Sequence, residues 1–344
     1  MSETEKQITV GITHGDINGI GYEIITKVLS DPQMMEICTP VVFGSSKAAS
    51  YHRKTIKGLS DFTFNVARQI NQLSRKKPNM YNITDEELKI ELGEVTPLAG
   101  KMSLKSLTTA VQYWISKKID VLVTAPINKK NIDMENFTGH TEYLAAACNT
   151  TNYLMLMVAD KLKIGTVTTH LPLSQVPEKI TKDAVLGKLR ILNESLIKDF
   201  CIVKPRIAVL ALNPHAGEGG QFGKEEQKAI IPAIETAFND GIYAFGPYAA
   251  DGLFGSGEYL HFDAVLGMYH DQSMLPFKLL SNGEGVNYTA GLQYVRTSPA
   301  HGTAYDIAGK NSASPNSFRN AIYLACDIFK NRQNYALNSK PKND

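Results

Sequence analysis

Short apolar runs rich in β-branched residues alternate along the chain with segments whose apolar residues recur every three or four positions. The first pattern is typical of a strand buried in a sheet, and the second is typical of an amphipathic helix. The predicted strands span residues 8–12, 41–43, 121–124, 154–158, 164–168, 207–212 and 264–268. This alternation predicts an α/β fold with a mainly parallel sheet covered by helices on both faces.

The helical pattern is clearest over residues 104–119, 185–200 and 317–330, and the polar segment 331–344 that follows is expected to fray. Residues 65–94 mix Lys, Asn and Glu without periodicity, which predicts a surface excursion. A chain of 344 residues, 43% of them hydrophobic, can bury a sizeable core. At about 150 residues per domain we expect two lobes.

The charge balance bears on the kind of partner. A net charge of +2 gives no strong basic field, so we expect a small substrate, with neither a nucleic acid nor a membrane as partner. The four cysteines lie far apart without a CxxC pair, which favours buried free thiols. No signal-peptide pattern and no long apolar span are evident, so the cytoplasm is the expected location.

Three histidines follow predicted strands by one to five residues: His170 in IGTVTTH, His215 in IAVLALNPH and His270 in AVLGMYH. Open α/β sheets place their ligand crevice at the carboxyl ends of the strands, where three imidazoles can converge on one metal ion. Nitrogen ligands without a thiolate favour zinc or a similar transition ion. A single histidine near a strand end is more often a hydrogen-bonded structural residue. His52 and His261 lie in polar surroundings, and we expect both to face solvent.

A second group of residues is suited to binding an anion. Thr141, in TGHTE, precedes an apolar run and could cap a helix whose amino-terminal N–H groups attract negative charge. Further along the chain, Lys278, Asn287 and Arg296 are spaced nine residues apart and offer a point charge, an amide and a bidentate guanidinium. Separately each could be a surface residue. Together they suggest a phosphate monoester or a carboxylate as ligand.

Two glycine-rich segments invite a dinucleotide interpretation. Residues 15–21, GDINGIG, lack the glycine spacing of a GxGxxG fingerprint and are better explained as a tight strand-to-helix turn, with Asp16 as a possible site residue. The segment 301–310, HGTAYDIAGK, resembles the adenine and ribose pocket of the isocitrate and isopropylmalate dehydrogenases. It offers an imidazole, close backbone approach and a carboxylate for a ribose hydroxyl, from His301, Gly302, Thr303 and Asp306. A plain glycine-rich loop is the alternative.

Six motifs occur in the same order as in one enzyme family: GDINGIGYE (15–23), TAPINK (124–129), GHTE (139–142), NPHAGE (213–218), YHDQ (269–272) and DIAG (306–309). With them, residues 8–328 resemble the 4-hydroxythreonine-4-phosphate dehydrogenase family. The resemblance implies a two-lobed fold of the isocitrate dehydrogenase type with the active site in the interlobe cleft. One lobe would comprise 1–135 plus 285–335 with the cofactor segment, the other 136–284 with the metal and dimer contacts, and 336–344 would be a polar tail.

The resemblance also implies chemistry. It implies NAD and a divalent metal, zinc first and magnesium or cobalt as alternatives, held in a homodimer by His170 and His215 of one subunit and His270 of the other. By position, His140, Thr141, Lys278, Asn287 and Arg296 would bind a phosphorylated hydroxy amino acid. Its oxidation would give a β-keto acid that loses carbon dioxide. Asp271, Asp251 or a metal-bound water molecule would remove the hydroxyl proton.

The sequence leaves other functions open. The first loop departs from the family pattern at Ile17, Asn18 and Tyr22, where the family has proline or a small residue. Related dehydrogenases of D-threonate or D-erythronate 4-phosphate share much of the pattern. A metal-dependent aldolase or hydrolase without NAD would leave the segment 301–310 unexplained. A catalytically silent phosphometabolite-binding protein is a further alternative, although loss of catalysis would ordinarily leave some ligand position altered.

Overall fold

The computed structural model describes residues 7–135, 137–160 and 162–339. The strands are β1 Ile8–Thr13, β2 Cys38–Gly44, β3 Asn65–Ala67, β4 Asn79–Asn82, β5 Val121–Thr124, β6 Leu154–Ala159, β7 Leu162–Thr166, β8 Arg206–Leu210, β9 Tyr243–Tyr248, β10 Ala264–Gly267, β11 Val286–Ala290 and β12 Val295–Pro299. The helices are α1 Gly21–Leu29, α2 Met34–Ile37, α3 Ser46–Arg53, α4 Pro97–Ile115, α5 His140–Ala147, α6 Val176–Lys179, α7 Lys182–Lys198, α8 Ile231–Asn239, α9 Ala250–Gly255, α10 His270–Leu280 and α11 Asn316–Asn338.

Two compact units make up the chain. The first contains residues up to Asn149 together with Gln293–Phe329, and the second contains Thr150–Leu292 and the residues from Lys330 onwards. Because β12 and most of α11 return to the first unit, both units are discontinuous in sequence. The functional lobes proposed from the sequence, 1–135 with 285–335 and 136–284, stay a prediction.

In the first unit the strands lie in the order β3-β4-β2-β1-β5-β12, and all neighbours are parallel. All seven residues of β2 are buried, as expected for a strand covered on both faces. Helix α4 follows the predicted periodicity and buries the indole of Trp114. It begins at a favourable cap, because the side chain of Thr96 accepts a hydrogen bond from the N–H of Ala99 and Pro97 occupies the first turn.

In the second unit the order is β11-β6-β7-β10-β8-β9. The β11–β6 and β6–β7 pairs are antiparallel, and the other pairs are parallel. Helix α7 begins at the Thr181 cap and buries Leu189, Leu192 and Leu196. The expected α/β fold with mainly parallel pairing is therefore confirmed, and the carboxyl ends of β7, β8 and β10 lead into the three histidine segments.

The structure corrects two segments that looked irregular in the sequence. Residues 65–94 contain β3 and β4, which extend the sheet of the first unit. Their polar composition hid them, because the buried amide of Asn79 donates hydrogen bonds to the carbonyls of Pro40 and Ser74 where an apolar side chain was expected.

The predicted frayed tail is helical as far as Asn338, and residues 340–344 lie outside the described part of the chain. Asn331 and Arg332 hold this turn by hydrogen bonds to Asp199, whose carboxylate is buried. Periodicity in apolar residues could not reveal a helix end that is fixed by polar contacts.

The expectation of buried thiols holds for two of the four cysteines. Cys38 and Cys326 are buried as expected, but Cys148 is half-buried and Cys201 is exposed.

Among the helices of the described residues, none combines the length and the apolar character needed to cross a membrane.

Candidate active site

Among the described lysines and arginines of the first unit, Arg296 is the most deeply buried, with 1% of its surface exposed. It lies on β12, and its Nε and Nη2 donate hydrogen bonds to the hydroxyl of Thr124, the last residue of β5, at 3.2 and 2.6 Å. Burial lowers its pKa to about 10, and the Glu142 carboxylate opposes that shift. The guanidinium therefore stays charged at neutral pH in a position with little water.

His140 lies beside this guanidinium at the start of α5. Its Nε2 is shielded from solvent and has no hydrogen-bond partner among the described residues. Burial, then the positive charges of Arg296 and Lys129, hold the pKa of His140 well below its usual range. The imidazole is accordingly neutral at physiological pH, with an unused ring nitrogen.

The α5 amino terminus differs from the sequence expectation. The cap is Gly139, without a side-chain hydrogen bond, and Thr141 is the second helical residue, so the predicted Thr141 cap is wrong. Gly139 has a φ of 149°, which residues with a side chain rarely adopt, and the Cε of Lys129 lies 2.9 Å from where a Cβ would stand. Sequence analysis did not select Lys129, although the TAPINK motif contains it.

The remaining predicted substrate residues lie in the second unit. Lys278 is exposed in the last turn of α10, and Asn287 is a half-buried residue of β11. The Oδ1 atom of Asn287 is buried without a hydrogen-bond partner among the described residues. The structure thus brings Arg296 and His140 together within one unit, and places Lys278 and Asn287 on the other.

Two of the three strand-end histidines meet in the second unit. The ring centres of His170 and His270 are 6.1 Å apart, beside a cavity of about 350 Å³. His270 Nδ1 and Asp271 Oδ1 are 2.7 Å apart, which leaves Nε2 of His270 as the available ligand atom. Imidazole nitrogens are ligands that divalent transition ions prefer, so the donor set at this end of the sheet fits such a metal.

His215 is held by an unusual backbone. Residues 215–219 all have positive φ, including the non-glycine residues His215, Ala216 and Glu218. The buried carboxylate of Glu226 supports this turn, since it accepts hydrogen bonds from the N–H groups of Leu212 and Asn213. Sequence analysis missed Glu226, which no motif had singled out.

In the described part of a single chain, no three His, Cys, Asp or Glu side chains gather into one ligand group. The division of His170, His215 and His270 between two subunits stays a prediction. Asp271 and Asp251, the candidate proton acceptors, are both exposed, and Asp251 lies in the first turn of α9.

Residues 301–310, the predicted cofactor segment, belong to the first unit. His301 is half-buried, and its Nδ1 lies 3.0 Å from the carbonyl of Gly302. Gly302 and Asp306 are exposed, and a Cβ on Gly302 would meet no atom within 4 Å. Thr303 is half-buried. The segment therefore presents an open glycine and a carboxylate to an incoming ligand.

The first unit also contains an aromatic stack. The ring of Tyr22 stacks between His14 and His52, with ring centres 5.1 Å apart on each side. The expectation that His52 faces solvent is wrong, because it is 1% exposed and its Nε2 hydrogen-bonds to the carbonyl of Ile17. Burial lowers the pKa of His14 to about 3 and that of His52 to about 4. His261 is exposed as expected.

Residues 36–325 match the family model of the pyridoxal phosphate biosynthetic protein PdxA. The chain belongs to this family. A 4-hydroxythreonine-4-phosphate dehydrogenase of Bacteroides thetaiotaomicron is 50% identical over 96% of this chain and 91% of its own. The crystal structure of a 4-hydroxythreonine-4-phosphate dehydrogenase from Klebsiella pneumoniae superposes with a TM-score of 0.80 at 31% identity, covering 94% of this chain and 100% of that one. One from Burkholderia phymatum gives 0.77 at 33%, covering 94% and 99%.

Proposed function

We propose that this member of the PdxA family is an NAD-dependent and divalent-metal-dependent 4-hydroxythreonine-4-phosphate dehydrogenase. It would oxidise 4-phosphohydroxy-L-threonine to 2-amino-3-oxo-4-(phosphooxy)butanoate, which loses carbon dioxide to give 3-amino-2-oxopropyl phosphate for pyridoxal phosphate biosynthesis. The observation that carries the proposal is the buried Arg296 guanidinium beside the neutral His140 imidazole. Such a pair suits a substrate that is both an anion and a hydroxy compound.

Arg296 supplies the anion-binding charge. A guanidinium at low exposure binds phosphate or carboxylate more strongly than a surface residue does, because water screens the interaction less. Its bonds to Thr124 fix the side-chain direction, so less conformational entropy is lost when the ligand binds. Thr141, Lys278 and Asn287 complete the proposed substrate-binding set.

His140 supplies a neutral polar contact. With its pKa held low, the imidazole adds no charge to the site, and its free Nε2 can form one directed hydrogen bond to a substrate hydroxyl or amino group. The direction of that bond depends on the tautomer. The imidazole therefore orients the substrate and leaves the net charge of the pocket unchanged.

The metal ligands proposed are His170, His215 and His270, with zinc as the first expectation and magnesium or cobalt as alternatives. When bound, the ion would supply a Lewis acid that lowers the pKa of the substrate hydroxyl. The Asp271 carboxylate fixes the ring orientation of His270. Asp271 and Asp251 are the proposed proton acceptors.

The cofactor proposed is NAD, which would accept the hydride when bound to His301, Gly302, Thr303 and Asp306. The Asp306 carboxylate is exposed, and we propose that it accepts a hydrogen bond from a ribose hydroxyl. We further propose a homodimer whose subunits share the metal site, and a location in the cytoplasm.

The test is direct. Purified protein is incubated with 4-phosphohydroxy-L-threonine, NAD and each divalent ion in turn, and NADH formation is followed by absorbance. The 4-phosphates of D-threonate and D-erythronate are assayed in parallel. Higher kcat/KM with either of these would reassign the substrate. Phosphate or aldehyde release without NADH would indicate a hydrolase or an aldolase, and would refute the dehydrogenase assignment.

A further inference from the structure

The cofactor segment 301–310 depends on a second loop of the same unit. This is the first glycine loop, residues 15–21, which follows β1. The N–H of Ile20 donates a hydrogen bond to the carbonyl of Thr303 at 3.1 Å. A Cβ on Gly19 would lie 2.8 Å from the same carbonyl oxygen, so the two backbones are in contact. The first glycine loop therefore serves as the platform on which the cofactor segment lies.

Within the first glycine loop, the side chain of Asp16 makes three hydrogen bonds to its surroundings. The side chain is fully buried, and its Oδ1 accepts a hydrogen bond from the N–H of Asn18 at 2.8 Å. Its Oδ2 accepts from the amide of Asn131 at 3.0 Å and from the hydroxyl of Tyr305 at 2.8 Å. A buried carboxylate with three donors is held firmly, because each bond compensates part of the cost of removing the charge from water.

Within the described part of the chain, Tyr305 is the residue of the cofactor segment whose side chain hydrogen-bonds to Asp16. It follows Ala304, whose φ of 45° and ψ of 56° are left-handed and unfavourable for a residue with a Cβ. Such a residue persists only when its neighbours hold it in place. The Thr303 carbonyl is fixed on one side of Ala304 and the Tyr305 hydroxyl on the other, so the two contacts determine the local conformation.

The backbone of Tyr305 is covered from another direction. A Cβ on Gly93 would lie 3.0 Å from the carbonyl oxygen of Tyr305, and the N–H of Gly93 donates to the carbonyl of Asn18 at 2.9 Å. The side-chain amide of Asn18 in turn donates to the carbonyl of Glu94. Asn18, where the family has a small residue, thus joins the platform to the segment that covers Tyr305.

We propose that the Tyr305 hydroxyl and the Asp16 carboxylate form a latch that sets the conformation of the cofactor segment for dinucleotide binding. Tyr305 is then a positioning residue, since it acts through the adjacent Asp306 and the turn around Ala304. This inference rests on the proposed function, because it takes the dinucleotide to bind at 301–310. With the latch broken, only the fraction of molecules that keep the competent turn would bind, and the apparent affinity falls by that fraction.

The experiment compares wild type with Tyr305→Phe, which removes only the hydroxyl. Tyr294→Phe is the matched control, because Tyr294 belongs to the same unit and its hydroxyl makes one 3.4 Å hydrogen bond to the carbonyl of Ile115. Kd for NADH is measured by titration calorimetry, and KM and kcat are measured for NAD and for the phosphorylated substrate. Amide hydrogen exchange is measured on the protein without cofactor.

Tyr305→Phe should raise Kd for NADH and KM for NAD by roughly tenfold, as expected for one lost hydrogen bond to a buried carboxylate. We expect kcat and the KM of the phosphorylated substrate to stay within about twofold. The amides of Ile307 and Ala308, which donate to the carbonyls of Ala304 and Tyr305, should exchange faster in the variant. Tyr294→Phe should match wild type in all of these.

Two results would overturn the latch. If Tyr305→Phe binds NADH with wild-type affinity, the hydrogen bond between Tyr305 and Asp16 has no role in dinucleotide binding. If the amides of Ile307 and Ala308 exchange at the wild-type rate, the turn does not need this hydrogen bond. If wild type itself binds no NADH, the dinucleotide assignment fails and so does the positioning role. Amide hydrogen exchange in the cofactor-free protein then still reports whether the hydrogen bond between Tyr305 and Asp16 orders the turn. This measurement separates a failure of the dinucleotide assignment from a failure of the latch.

Discussion

Replacing Arg296 tests the proposed anion site at its most buried charge. In Arg296→Ala the substrate would lose the proposed interaction with a guanidinium that is 1% exposed and directed by the Thr124 hydroxyl. In Arg296→Lys a charge remains, but the planar donor geometry is lost. We expect both variants to raise the KM of the phosphorylated substrate, and Arg296→Ala to raise it more.

The size of the effect follows from the burial. A hydrogen bond to a charged group contributes about 1.5–3 kcal/mol, and 1.4 kcal/mol corresponds to about a tenfold change in binding. Loss of the guanidinium should therefore raise KM roughly ten- to a hundredfold. Because the interaction is made in both the ground state and the transition state, kcat should change much less. The Arg296 pKa of about 10 means that wild type should show this loss only as the pH approaches 10.

Steady-state kinetics with saturating NAD measure both constants, and added guanidinium ion should partly restore Arg296→Ala. Arg53→Ala is the control for a lost part-buried arginine, since Arg53 of the same unit donates to the carbonyl of Phe62 at 2.8 Å. Thermal unfolding shows whether each variant is folded. A KM for the phosphorylated substrate equal to that of wild type in folded Arg296→Ala would refute the anion-site reasoning.

Three further predictions concern the metal segment and the buried histidine stack. His215→Ala and His270→Ala should each be nearly inactive, whereas co-expressed mixed dimers should regain one intact site, and recovery no better than either parent would argue against a shared site. In Glu226→Gln an amide NH2 group can stand where a carboxylate oxygen now accepts a hydrogen bond from the Asn213 side chain. The affinity for a divalent ion, measured by calorimetry, should therefore fall about 10- to 100-fold. An unchanged affinity would show that Glu226 does not position His215. His52 has a pKa of about 4 in the folded protein and about 6.5 when unfolded, so its contribution is complete above pH 6.5 and about 3 kcal/mol is lost as the pH falls to 4. Urea unfolding of His52→Gln should show a shallower decline over that range, and the same slope as wild type would contradict this.

The sequence predicted strands best where burial alone shaped the pattern. The run at residues 121–124 matches β5 residue for residue, because a strand covered on both faces is buried at every position and is therefore mostly apolar. The prediction from the sequence failed where polar side chains fill the buried positions. Strand β4 contains the buried Asn79, and the end of α11 is held by Arg332, so neither shows apolar periodicity.

The candidate site divides in the same way. The motifs around His140, His270 and Asp306 are continuous in sequence, and sequence analysis found them as short strings of letters. Glu226 was missed because its importance comes from hydrogen bonds to residues 13 and 14 positions away, with no motif of its own. The predicted cap at Thr141 was wrong because Gly139 already occupies the cap position.

The sequence by itself determined the fold class, the family and the residue types available for chemistry, since periodicity and short motifs are local properties of the chain. Only the tertiary structure decided that Arg296 is buried, that His140 is neutral, and that Tyr305 bonds to Asp16 across 289 positions. Burial and pKa depend on which distant segments surround a group and exclude water from it. The burial and the pKa of a group are set only when distant segments pack together, so no single segment of the chain determines them.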